Sequence, residues 1–172
     1  HAFSMYPIMS KLFGAAYVEV PNKEDWTHDL DGFLAAITEN TRVVFITNPT
    51  NPVGTVVGQQ EIDDFMAKVP EHVLVVFDEA YREFVYAGEP LQSMGQFADA
   101  AENVIVIDTV SKRFSACGAR IGCMISRNKE LMAQAMKYAQ CRLSVPTLDQ
   151  VAAAALYTVG PDYFAAVREE YK

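Results

Sequence analysis

Three short apolar runs in this chain each end on polar residues able to hold a ligand. The run Val43 to Thr47 is followed by Asn48-Pro-Thr-Asn51-Pro-Val-Gly54, and the run Leu74 to Asp78 ends on a carboxylate with Glu79 and Tyr81 behind it. The run Val104 to Asp108 is followed by Thr109, Ser111 and Lys112, and Arg120 comes eight residues after the lysine. An amide, a carboxylate with a phenol, and an amine thus stand just past three successive runs. If the runs are parallel strands, their loops meet at the carboxyl edge of one sheet, where open α/β folds bind ligands.

Each element also has an ordinary explanation. The Pro-rich loop can satisfy its own backbone through Asn side chains, Asp78 can cap a helix, and lysines mostly decorate surfaces. His28 and His72 fall in no recognisable motif and are assigned no role. The ordinary explanations must all hold independently, whereas one ligand site accounts for every piece.

The elements that would position these groups follow from hydrophobic periodicity. Strands are expected at Ala16 to Val20, Val43 to Thr47, Leu74 to Asp78, Val104 to Asp108 and Ile121 to Ser126. Their near-continuous apolar character suits strands buried on both faces. Helices are expected at Met5 to Phe13, Leu30 to Ile37, Gln60 to Lys68 and Leu91 to Ala100, then at Asn128 to Gln140, Thr147 to Val159 and Asp162 to Tyr171. Alternating strand and helix implies an α/β fold, with a mainly parallel sheet between helices.

Composition bounds the partners. The 172 residues suffice for one ordinary core, and 51% are hydrophobic against 21% charged, with no apolar run long enough to span a membrane. A net charge of −8 without a dense basic block argues against a nucleic-acid surface. Cys117, Cys123 and Cys141 are odd in number and lack CxxC spacing, which suggests neither a disulfide framework nor a metal site and makes the cytoplasm the default compartment. The chain opens on His1 and its last helical pattern runs out without a cap, so it is read as a mature product or a piece of a longer protein.

The ordered motifs Asn48-Pro-Thr-Asn51-Pro-Val-Gly54, Asp78-Glu-Ala-Tyr81 and Ser111-Lys112-Arg-Phe-Ser-Ala-Cys-Gly118-Ala-Arg120-Ile-Gly122 resemble those of the class I/II aminotransferases, pyridoxal-phosphate enzymes of fold type I. The resemblance covers essentially the whole chain. Its N-terminal half, from FSMYPIMSKLFGAAYVEVP to DEAYREF, is most similar to histidinol-phosphate aminotransferases, and SKRFSACGARIGC with the helices after it is more similar to aspartate-type enzymes.

The resemblance implies a three-layer α/β/α large domain over residues 1–160, incomplete, with residues 161–172 starting a helix toward a small domain that is not in the sequence. Pyridoxal 5'-phosphate is the implied cofactor and Lys112 the implied Schiff-base lysine, which then moves the proton between the substrate α-carbon and the cofactor. Asp78 would pair with the pyridinium nitrogen, Asn51 and Tyr81 would hydrogen-bond the phenolic oxygen, and Arg120 would grip the phosphate with help from Thr109 and Ser111. Phe3 falls where the family often stacks a ring on the cofactor. Lys112, Asp78 and Tyr81 are the implied catalytic set.

Amino acid and 2-oxo acid substrates and a homodimer are likewise implied, with no nucleic acid, membrane or metal. Val53 stands where Thr is frequent, and Cys117 is read as a small buried side chain. A Gly-containing phosphate loop and a carboxylate-binding arginine expected of the family are not in the sequence. By family topology a further strand would lie between Ala16 to Val20 and Val43 to Thr47. A lyase or decarboxylase of the same fold, a ligand-sensing module without turnover, and a folded fragment with weak or no catalysis are the competing expectations.

Overall fold

The computed structural model describes residues 2–86 and 91–172. Four strands, β1 (Val43–Thr47), β2 (Leu74–Asp78), β3 (Val104–Thr109) and β4 (Gly122–Ile125), form one sheet in the order β1-β2-β3-β4. The first three are parallel and β4 runs antiparallel to β3, so the sheet is mainly parallel as expected. Among the described residues eight α-helices accompany it: α1 (Met5–Leu12), α2 (Leu30–Ala36), α3 (Gln59–Met66), α4 (Gly95–Ala100), α5 (Val110–Arg113), α6 (Lys129–Cys141), α7 (Thr147–Ala154) and α8 (Pro161–Tyr171).

Alternation along the strands sorts the two faces. Val44, Ile46, Val75, Phe77, Val104 and Val106 share one face and pack with Leu30 of α2, Ile62 and Phe65 of α3 and Ala98 of α4 in a single core. On the other face Phe45, Val76 and Ile105 lie in register, and Tyr6 of α1 stacks on Phe45 with ring centroids 4.4 Å apart. Val75, Val76 and Phe77 are all buried, the pattern of a strand covered on both sides. Val43 and Ile125, on the outer strands, are exposed.

Sequence expectations for β1 to β3 hold almost to the residue. Ala16 to Val20 is a correction, because it belongs to no strand and is largely exposed. A strand exists through its ladder partner, and among the described residues β1 has only β2 beside it. The helix expected over Leu91 to Ala100 begins at Gly95. Ser93 and Met94, just before it, instead donate hydrogen bonds to the buried Glu79 carboxylate. Thr147 to Val159 splits into α7 and a 3-10 turn, Ala155–Thr158. Helices α6 to α8 carry no buried residue, and Tyr138, Leu143, Leu148 and Tyr157 stand exposed on this part of the chain. No helix of the described residues is long and apolar enough to cross a membrane.

Candidate functional site

The parallel strands deliver their three loops to one edge, as the topology demands. The loop after β1 is held from within: the Asn48 side chain donates to Val57 O and accepts from Val57 N, each at 3.0 Å, and Gly54 N reaches Thr50 O at 2.7 Å. Gly54 has φ +78°, a conformation that L side chains rarely adopt. The two asparagines of the motif therefore divide the work. Asn48 is buried and spent on the loop, which agrees with the ordinary reading of a self-satisfied turn, while Asn51 faces a cavity.

That cavity, of about 640 Å³, is lined by Asn51, Tyr81, Ser111 and Lys112 among the expected residues, together with Thr50 and Cys117. Phe84, Tyr86 and Tyr171 add aromatic wall. Lys112 Nζ lies 5.6 Å from the centroid of the Tyr81 ring, near enough for a cation–π attraction. Thr50 is 2% exposed and its hydroxyl has no hydrogen-bond partner among the described residues. Cys117 corrects the expectation of a buried thiol: it is exposed, because it opens a 3-10 turn, Cys117–Ala119, that buries none of its residues.

Lys112 rides on α5, a single helical turn that sequence reading missed for its shortness. Its start is fixed by Thr109, whose hydroxyl accepts from Ser111 N at 3.1 Å and donates to Ile121 O at 3.0 Å. Thr109 is thus an N-cap that also ties α5 to the segment entering β4.

Four expected residues do not line the cavity: Asp78, Thr109, Arg120 and Phe3. Arg120 has a left-handed backbone (φ 52°) and its guanidinium donates to Cys117 O at 3.0 Å. Phe3 packs edge-on against Tyr6, centroids 5.7 Å apart. Asp78 closes β2, with Oδ1 accepting from Ala80 N at 3.1 Å and Oδ2 accepting from the Tyr6 hydroxyl.

Around Asp78 lies a polar cluster that sequence reasoning missed. The Tyr6 hydroxyl also lies 3.2 Å from Thr47 Oγ1, and burial, then the bond to Asp78, pushes the phenol well above its usual range. His28, which sequence alone assigned no role, is 2% exposed and has Nε2 3.0 Å from Thr47 O. Burial holds its imidazole below the ordinary range, and because a carbonyl oxygen only accepts, Nε2 is the donor. An apolar helix face bearing one Tyr was the only signal for Tyr6, and it named no partner.

Comparison with known proteins agrees with this arrangement. A family model for "Aminotransferase class I and II" matches residues 1–170. The chain is 78% identical over 122 residues to a histidinol-phosphate aminotransferase of Akkermansia muciniphila, covering 71% of this chain and 33% of that protein. It is 40% identical over 154 residues to an aromatic amino acid aminotransferase of Streptomyces coelicolor, covering 90% and 42% respectively. The chain therefore spans well under half of the length of these relatives.

Among solved structures, it is similar to a histidinol-phosphate aminotransferase of Sinorhizobium meliloti in complex with pyridoxal-5'-phosphate, with TM-score 0.78 and 30% identity over 97% of this chain and 44% of that one. A Thermus thermophilus aspartate aminotransferase variant superposes with TM-score 0.87 and 26% identity over 99% of this chain and 45% of that one. Strand order, the amine, amide and phenol at one cavity, and a family match along nearly the whole sequence converge: the chain belongs to the class I and II aminotransferases.

Proposed function

We propose that this chain is the cofactor-binding part of a pyridoxal-phosphate-dependent aminotransferase that moves an amino group between an amino donor and a 2-oxo acid. The observation that carries this is the meeting of Lys112, Tyr81, Asn51 and Ser111 at a single cavity. Its donor set fits pyridoxal phosphate: a primary amine for the aldehyde, an amide and a phenol for the ring oxygen, and hydroxyls for phosphate oxygens. The unpartnered Thr50 hydroxyl is a further polar group without an internal use among the described residues.

When bound, the cofactor supplies an aldehyde for amines and a ring that takes up the electron pair left by the departing α-proton. Lys112 would be the amine that holds the cofactor through that aldehyde, and as a free amine it would take the proton from the substrate α-carbon. Tyr81 and Asn51 would hydrogen-bond the ring oxygen. Asp78, kept in one orientation by Ala80 N and Tyr6, would hold the proton on the ring nitrogen. Ser111 would meet the phosphate at the cavity, Thr109 and Arg120 would join it only on releasing Ile121 O and Cys117 O, and Phe3 would cover the ring on leaving its contact with Tyr6.

Four aromatic residues, Tyr81, Phe84, Tyr86 and Tyr171, wall the cavity and favour a donor with a flat ring. Histidinol phosphate, or an aromatic amino acid, is such a donor, and the relatives named for these substrates support the choice. We further propose that residues 1–160 form part of a large domain, that residues 161–172 lead toward a small domain, and that the whole protein is a cytoplasmic homodimer.

The full-length protein, given pyridoxal phosphate, 2-oxoglutarate and either histidinol phosphate or an aromatic amino acid, should consume donor and acceptor in equal amounts and release glutamate. Release of carbon dioxide, or no turnover with either donor class, would overturn the aminotransferase reading.

A further inference from the structure

Arg113, next to Lys112, is not among the residues lining the cavity, and its guanidinium meets two carboxylates. Nη2 lies 3.0 Å from Glu83 Oε1 and Nη1 lies 3.3 Å from Asp108 Oδ2. These carboxylates belong to different elements: Asp108 is in β3, and Glu83 is in the turn after β2 that carries Tyr81. That turn is closed by Arg82 N to Glu79 O and Phe84 N to Tyr81 O, both at 2.9 Å. The same guanidinium carbon lies 5.8 Å from the ring of Phe164 in α8, the helix whose Tyr171 reaches the cavity wall.

We propose that Arg113 is a positioning residue that sets the distance and angle between Lys112 and Tyr81 by clamping α5 to the Tyr81 turn and to β3. The inference rests on the reading of Lys112 and Tyr81 as the working groups of the site. A one-turn helix has little stability of its own, and α5 buries none of its residues, so outside contacts must fix its orientation. Thr109 supplies the contact at its start and Arg113 the one at its end.

An exposed ion pair would contribute little. Here all three side chains are less than a third exposed, at 31% for Arg113, 22% for Glu83 and 17% for Asp108. A planar fork can meet two carboxylates at once, whereas a lysine ammonium is a single point of charge. Arg82 Nη2 also contacts Glu83, at 3.2 Å, so removing Arg113 does not leave that carboxylate alone. What is lost is the tie across elements.

The test is made on the full-length holoenzyme with R113M, R113K, E83A and the R113M/E83A pair. The readouts are the circular dichroism of bound pyridoxal phosphate in its visible band, kcat and KM for the amino donor, and melting temperature. Misplacement of reacting groups lowers kcat steeply, so R113M is expected to lose about tenfold or more in kcat while KM changes little. Its cofactor ellipticity falls, R113K recovers part of both signals, and the double variant loses less than the sum of the two single ones, as a coupled pair should.

Unchanged ellipticity and kcat in R113M would overturn the inference, also if its melting temperature falls, since Arg113 would then serve stability alone. A wild-type protein that takes up no pyridoxal phosphate would overturn the functional reading and this inference with it. Normal uptake with variant-insensitive ellipticity would overturn the inference only.

Discussion

The hydroxyl of Tyr6, in the first helix, donates a hydrogen bond to Oδ2 of Asp78, at the end of β2 and 72 residues later in the chain. The contact fastens α1 to the carboxyl edge of the sheet and holds one oxygen of the carboxylate proposed to face the cofactor ring. The Tyr6 ring lies flat on Phe45 while its hydroxyl also meets Thr47, so one side chain serves packing and polar order together.

Replacing Tyr6 by Phe keeps the stacked ring and removes only the hydroxyl. A hydrogen bond to a charged group contributes on the order of 1.5–3 kcal/mol, and Y6F is expected to lose a comparable amount in urea unfolding. The raised phenol pKa fixes the pH dependence. A folded-state value above the unfolded one gives stability that is complete below the unfolded value, about pH 10, and is lost as the pH rises beyond it. Wild type should weaken in that alkaline range, and Y6F should lack this part of the loss.

His28 acts in the opposite direction on the pH scale. Its depressed value means that the unfolded chain takes up a proton that the folded one refuses. Stability is therefore complete above about pH 6.5 and falls as the pH drops through the folded value. In His28→Gln, whose amide can donate to Thr47 O in place of Nε2, unfolding followed between about pH 7 and 5 should show a shallower decline.

Glu79 is 4% exposed and receives Ser93 Oγ at 2.8 Å and the backbone N–H of Met94. Burial raises its carboxyl above the usual range, while Arg82 Nε, 3.6 Å from Oε2, favours the charged form. Glu79→Gln retains an acceptor for Met94 N but sets an amide donor against Arg82. It should cost on the order of 1 kcal/mol, and Glu79→Ala, which also strands a buried donor, about 1–3 kcal/mol by the same unfolding assay.

Strands β1 to β3 were legible because their apolar runs match strands covered on both faces, and the residues at their ends could be assigned to one edge before any coordinates. Asn51, Tyr81, Ser111 and Lys112 meet there as expected. Ala16 to Val20 has a strand's composition without a strand's neighbour, and pairing is not written in composition. Helix α5 is too short for periodicity to reveal. The bonds from Tyr6 to Asp78 and from Arg113 to Glu83 and Asp108 join residues far apart or on separate elements, where only the folded geometry names the partner.

Everything proposed for this site turns on Lys112 holding the cofactor. Pyridoxal phosphate added to the full-length protein, then reduced with borohydride and digested, should leave a single stable pyridoxyl adduct on the peptide containing Ser111-Lys112-Arg113, and Lys112→Ala should abolish it. A protein that yields no adduct, or one on another lysine that persists in Lys112→Ala, would show that Lys112 does not hold it.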